Sequence, residues 1–143
     1  MKRFAFPLDR VMEWRRAQAR LEESKLEGLH AELRDIGQKI EILTIERNRA
    51  GRSLVAAGGA TGLELTLLDA FQIAADAELT RLERSKAGCR QRVEAQIWAV
   101  AERRREVRLL EKLKERKLES WKVAANREID RQAEEAYLAR WTA

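Results

Sequence analysis

The sequence predicts an all-α fold: a long two-helix antiparallel coiled coil, a helical hairpin with an overhanging C-terminal helix. Three observations carry this. Charged residues make up 37% of the chain, aromatics 6%, and there is a single proline; that is the composition of long helices and coiled coils. No stretch alternates apolar and polar residues with β-branched enrichment, so no strand is expected. The helical pattern breaks clearly at one place only, Ala56-Ala57-Gly58-Gly59-Ala60-Thr61-Gly62-Leu63.

The first helix is expected over about 7–57. Pro7 is pre-set for a first helical position, and Asp9 suits the positive end of the helix dipole. Leu8, Val11, Met12 and Trp14 give this start an apolar side. From Leu26 a heptad seam runs through Leu29, Leu33, Ile36, Ile40 and Leu43, in the alternating three- and four-residue steps of a coiled coil. It weakens through Arg47 and Ala50 to Leu54. Gly28, Gly37 and Gly51 lie inside this helix, each costing about 1 kcal/mol against Ala, and mark either bends or close approaches.

The turn is expected at 58–62. Paired glycines after a periodic run read as a helix C-terminus. Thr61 followed by Glu64 is a capping-box spacing, in which hydroxyl and carboxylate reciprocally satisfy two free amides. A connection this short suits antiparallel neighbours.

The second helix is expected over about 63–141. One seam row reads Leu79, Lys86, Val93, Val100, Val107, Lys114, Trp121; the other reads Ala75, Leu82, Cys89, Gln96, Arg103, Leu110, Lys117. Polar intrusions make this seam looser than the first. Folding at Ala60 sets Leu8 near Lys112, so everything after Leu113 is expected to overhang without a partner helix. The chain reads as a single coiled-coil rod, 1–143, with no internal repeat and no domain boundary.

Several function classes lose support. One histidine, His30, makes neither a metal site nor a triad, and reads as a solvated or packed surface residue. Cys89 lies on a seam row and reads as a small buried hydrophobe; a lone cysteine forms no internal disulfide and suits a reducing compartment. Gly58–Gly62 lacks the lysine and preceding strand of a phosphate-binding loop. No enzymatic activity, cofactor or metal is expected. The opening residues are too briefly apolar for a signal peptide, and no run is long enough to span a membrane. A cytoplasmic protein follows.

The net charge of +5 is local: Arg103–Lys117 holds eight basic and three acidic residues. Arg104, Arg108, Lys112 and Arg116 stand at four-residue intervals on one face. The spacings Arg108–Glu111, Lys112–Glu115 and Arg116–Glu119 permit ion pairs that offset the repulsion. Two readings are a solvated charged face and a dock for an acidic protein surface. Interleaved acids and the lack of an aromatic platform argue against nucleic acid. Off-seam apolar residues form a second candidate surface near the turn, Ile42, Ile45 and Ile73, read either as a partner patch or as local widening of the core. Leu113, Leu118, Trp121, Ile129 and Trp141 raise the same question in the overhang.

At these residues the chain resembles the flagellar export protein FliJ family. Met1-Lys2-Arg3-Phe4-Ala5-Phe6-Pro7-Leu8-Asp9-Arg10-Val11 is similar to the family's start. Arg105-Glu106-Val107-Arg108-Leu109-Leu110-Glu111-Lys112-Leu113-Lys114-Glu115-Arg116-Lys117 resembles its most recognisable segment. Glu134-Glu135-Ala136 stands where the family often has Asp-Glu-Ala. The resemblance implies a non-enzymatic central stalk of the flagellar type III export apparatus, cytoplasmic and peripheral to the membrane at the flagellar base, monomeric when free. Its implied partners are the hexameric export ATPase, the export gate protein FlhA and export chaperones. The implied ring-binding residues are Arg105, Val107, Arg108, Leu110, Lys112, Leu113, Arg116, Leu118 and Trp121. The implied gate-binding residues are Gln38, Ile42 and Ile45, with Ile73 added from the off-seam patch. The injectisome stalk family is a close relative of the same pattern. The competing reading is a basic coiled-coil scaffold that self-associates or binds nucleic acid.

Overall fold

Pro7 decides where the first helix begins. Having no amide hydrogen, it leaves a turn at Pro7-Leu8, and the Leu8 carbonyl accepts the first α-helical bond from the Met12 amide at 2.8 Å. The computed structural model describes residues 2–59 and 61–142. Among them there are two helices, α1 (Asp9–Ala56) and α2 (Gly62–Thr142), packed together, and no strand. Ala60, in the expected turn, and the two terminal residues lie outside the described set.

The turn chemistry is as the sequence requires. Gly58 adopts φ +76°, a left-handed conformation in which a Cβ would be strained. The Thr61 hydroxyl accepts from the Glu64 amide at 3.2 Å, and the Glu64 carboxylate accepts from the Thr61 amide at 3.4 Å, closing the capping box at the start of α2.

The helices divide between two compact units, Glu22–Ala99 and Met1–Leu21 with Val100–Ala143. In the first, the seam of α1 turns inward as its spacing demands: Leu26, Leu29, Leu33, Ile36, Ile40, Leu43, Arg47, Ala50 and Leu54 are all buried or half-buried. On α2, Ala75, Leu82, Cys89 and Val93 are buried against them. Cys89 is wholly buried, its thiol donating to the Leu29 carbonyl at 3.6 Å. Polar seam residues are satisfied rather than merely tolerated. Gln96 donates to the Glu22 carbonyl at 2.9 Å, and Arg47 grips Asp76 with two hydrogen bonds of 2.8 and 3.3 Å. Gly28 and Gly37 have open space where a Cβ would stand, and one at Gly51 would make ordinary contact with Gln72. None of the three serves a close helix approach.

In the other unit, Phe6, Met12, Ala19 and Val100 are buried. Cross-helix ion pairs flank them: Arg15–Glu106 at 2.9 Å, Arg16–Glu111 at 3.2 Å and Asp9–Lys114 at 2.8 Å. Three expectations are corrected here. Leu8, Val11 and Trp14 are exposed, so Met12 alone carries the inward side of that turn. Lys117 is exposed and Leu118 half-buried instead. And α2 does not lose its cover at Leu113. The non-helical segment Lys2–Phe6 continues alongside it, with Phe4 against Trp121, ring centroids 6.0 Å apart, and the Trp121 indole donating to the Lys2 carbonyl at 3.2 Å. Beyond Lys114 the half-buried positions are Leu118, Trp121, Ala125 and Glu128. They continue the seam in three- and four-residue steps past the point where α1 begins at Asp9. Only Ile129–Thr142 is exposed throughout.

Candidate functional site

The basic surface is built on one continuous stretch of α2. Arg105, Arg108, Lys112 and Arg116 are exposed. Arg105 approaches Glu102 at 4.0 Å. Two of the three acids expected to neutralise the stripe are engaged elsewhere: Glu111 pairs with Arg16 of α1, and Glu119 with Lys122 at 3.7 Å. Arg16 wins Glu111 because packing of the two helices brings it within reach, which local spacing could not show. Among the described residues, Arg108, Lys112 and Arg116 form no ion pair. Three uncompensated cations at successive turns attract acid from outside the chain, and their spacing is that of one helix face.

The apolar residues assigned to the same surface are not free. Val107, Leu110, Leu113, Leu118 and Trp121 are all half-buried. Val107 and Leu110 belong to the seam rows, whereas Trp121 is covered by Lys2–Phe6. On one side, Lys2, Arg3, Phe4, Ala5, Pro7, Lys117 and Trp121 line an open groove of about 510 Å³, with three cations and no carboxylate. On the other side, Lys2, Arg3, Trp121, Ala125, Glu128, Ile129 and Gln132 line a second of about 330 Å³. The cover is weakly held beyond Phe6. A tilted aromatic pair contributes about 0.5–1.5 kcal/mol and a net hydrogen bond a similar amount. Ordering each backbone residue costs about 1–2 kcal/mol. These two contacts alone do not offset the ordering of four residues, so Lys2–Ala5 is weakly held, while Phe6, 6% exposed, is a firm anchor.

The second surface lies in the unit Glu22–Ala99. Gln38, Ile42 and Ile45 recur at helical spacing on the side of α1 opposite its seam, and Ile42 and Ile45 are 57% and 49% exposed. Ile73 is 63% exposed; at about 100° per residue it points away from the seam row of its own helix. Nearby, hydrogen bonding from Arg81 holds the Glu78 carboxyl below its ordinary range and raises the guanidinium in turn. Ile97 and Trp98 are also exposed off-seam residues of this unit; the seam rows alone identify them, since neither row contains them. Val55, Leu63, Leu65 and Leu67 are exposed beside the turn, where the seam has run out of partners.

No group of three or more His, Cys, Asp or Glu is placed to hold a metal ion, and no helix is long and apolar enough to cross a membrane, among the described residues. Compared with family models, curated proteins and solved structures, the chain finds no match.

Proposed function

We propose that this chain is a non-enzymatic central-stalk component of the flagellar type III export apparatus. In this reading α1 and α2 form an antiparallel coiled-coil hairpin. Support comes from the order of partners within each unit: as numbers rise along α1 from Leu29 to Arg47, their partners on α2 fall from Cys89 to Asp76. The same holds from Asp9 with Lys114 to Arg15 with Glu106.

The observation that carries the functional reading is the unpaired stripe Arg108, Lys112 and Arg116, on the stretch of α2 that also carries Leu113, Leu118 and Trp121. The stripe faces carboxylates of the hexameric export ATPase ring, and the apolar residues pack on its inner collar. Binding that favours the assembled ring over a lone subunit promotes assembly by mass action. The Gln38–Ile42–Ile45 face, with Ile73, engages the export gate protein FlhA, and export chaperones use the remaining exposed apolar positions. The protein acts in the cytoplasm at the flagellar base. The two blocks of family resemblance, Met1–Val11 and Arg105–Lys117, support the same assignment.

The test is ATP hydrolysis by the purified export ATPase against added protein, at subunit concentrations where rings are scarce. Stimulation that disappears once the ATPase is concentrated enough to assemble alone supports the reading. No stimulation at any concentration rejects it. A second reading, self-association, is favoured by the largely exposed Ile129, Tyr137, Leu138 and Trp141; sedimentation showing a stable dimer without the ATPase would favour it instead.

A further inference from the structure

We propose that Lys2–Ala5 is a displaceable strap, anchored at Phe6, which competes with the ATPase for the Trp121 face of α2. The inference rests on the stalk reading and adds a regulated step to it. Its basis is a conflict of occupancy. Trp121 belongs to the face assigned to the partner, yet its indole already donates to the Lys2 carbonyl and its ring already packs on Phe4. One side chain does not serve both the strap and a ring collar at once.

The hold on the strap is uneven along its length. Phe6 is buried and Pro7 stiffens the turn behind it, whereas Lys2, Arg3 and Ala5 are exposed. Lys2 and Arg3 also share a groove with Lys117 in which no carboxylate takes part, although Glu128 joins them in the neighbouring groove. Like charges gathered there loosen the closed strap, and an acidic partner relieves them. Displacement therefore frees the aromatic face of Trp121 and sets two further cations, Lys2 and Arg3, loose at the Lys117–Trp121 end of the basic segment. Closed, the strap hides the indole until a partner of the right charge arrives.

Two measurements separate the strap from the stalk reading. The first needs no partner. In a chain with Trp14, Trp98 and Trp141 replaced by Phe, all three being mostly exposed, fluorescence reports Trp121 alone. Phe4→Ala is expected to raise its acrylamide quenching constant about twofold while leaving the melting temperature nearly unchanged. The second uses the purified export ATPase. Arg3→Cys and Ala125→Cys, in a Cys89→Ala background, are joined by a bismaleimide with a cleavable disulfide. The tethered chain is expected to bind the ATPase about tenfold more weakly, to recover on cleavage, and to be outdone by Phe4→Ala about threefold. Equal binding by tethered, cleaved and Phe4→Ala chains overturns the strap and leaves the stalk reading standing. Weaker binding by Phe4→Ala also overturns it, since the strap would then belong to the docking face. If no form binds the ATPase, the stalk reading falls and the competition with it.

Discussion

Ile40 and Ile42 stand two positions apart on α1 in opposite environments: Ile40 is half-buried in the seam, and Ile42 is 57% exposed on the far side. A charge at position 40 must be desolvated or must push the helices apart, whereas one at 42 stays in water. Ile40→Asp is expected to cost about 2–4 kcal/mol, and Ile42→Asp less than about 0.5 kcal/mol. Urea melts of the two variants check this. Ile42→Asp is further expected to weaken FlhA binding; if it unfolds the chain as readily as Ile40→Asp, that face is core and not a dock.

Two glycines are expected to respond to alanine with opposite signs. Gly28 sits within α1, and the space a methyl group would enter is open, so Gly28→Ala is expected to stabilise by about 0.5–1 kcal/mol. Gly58, at φ +76°, is held in the left-handed region, and Gly58→Ala is expected to destabilise by about 1–2 kcal/mol. Thermal melts followed by circular dichroism measure both. The same sign for both substitutions would contradict the turn geometry.

The unpaired stripe makes a prediction about salt. Replacing Arg108, Lys112 and Arg116 together by Gln is expected to shift the melting temperature by no more than about 2 °C, since exposed substitutions away from partners are nearly neutral. ATPase stimulation is expected to drop at least tenfold. For the unaltered chain, stimulation is expected to weaken steadily with added salt, because exposed charges are screened over about 8–10 Å at physiological ionic strength. Salt-independent stimulation would assign the binding energy to apolar contacts alone.

Truncation distinguishes the covered part of α2 from the exposed part. Deleting residues 130–143 removes side chains that touch little, and stability is expected to change by less than about 1 kcal/mol, with most ATPase stimulation retained. Deleting from Leu113 onward strips Phe4 of its packing on Trp121 and removes the Asp9–Lys114 pair. That chain is expected to lose stimulation and to melt earlier, while Ile36, Ala75, Leu82 and Cys89 keep their own unit folded. Loss of stimulation on the shorter deletion would move the docking face into residues 130–142.

Much of the helix-on-helix packing is legible in the residues alone. Every position that the three-four spacing names from Leu26 to Leu54 is buried or half-buried, because a helix facing another helix buries side chains at a fixed period. Thr61 and Glu64 announce their capping box, since the interaction is local to four residues. The exposure of Ile42, Ile45 and Ile73 follows from the same period, by exclusion from the seam. What the tertiary structure decided is who meets whom once polar groups have a choice. Glu111 could pair along its own helix with Arg108, yet it pairs across with Arg16; Gln96 turns out to be held by Glu22. The cover over Trp121 is of the same kind. Lys2–Phe6 is not helical, so it carries no period by which its contacts could be read. Its place against α2 is set by Phe4 finding the Trp121 ring, which α1 does not reach, a consequence of where Pro7 lets that helix begin.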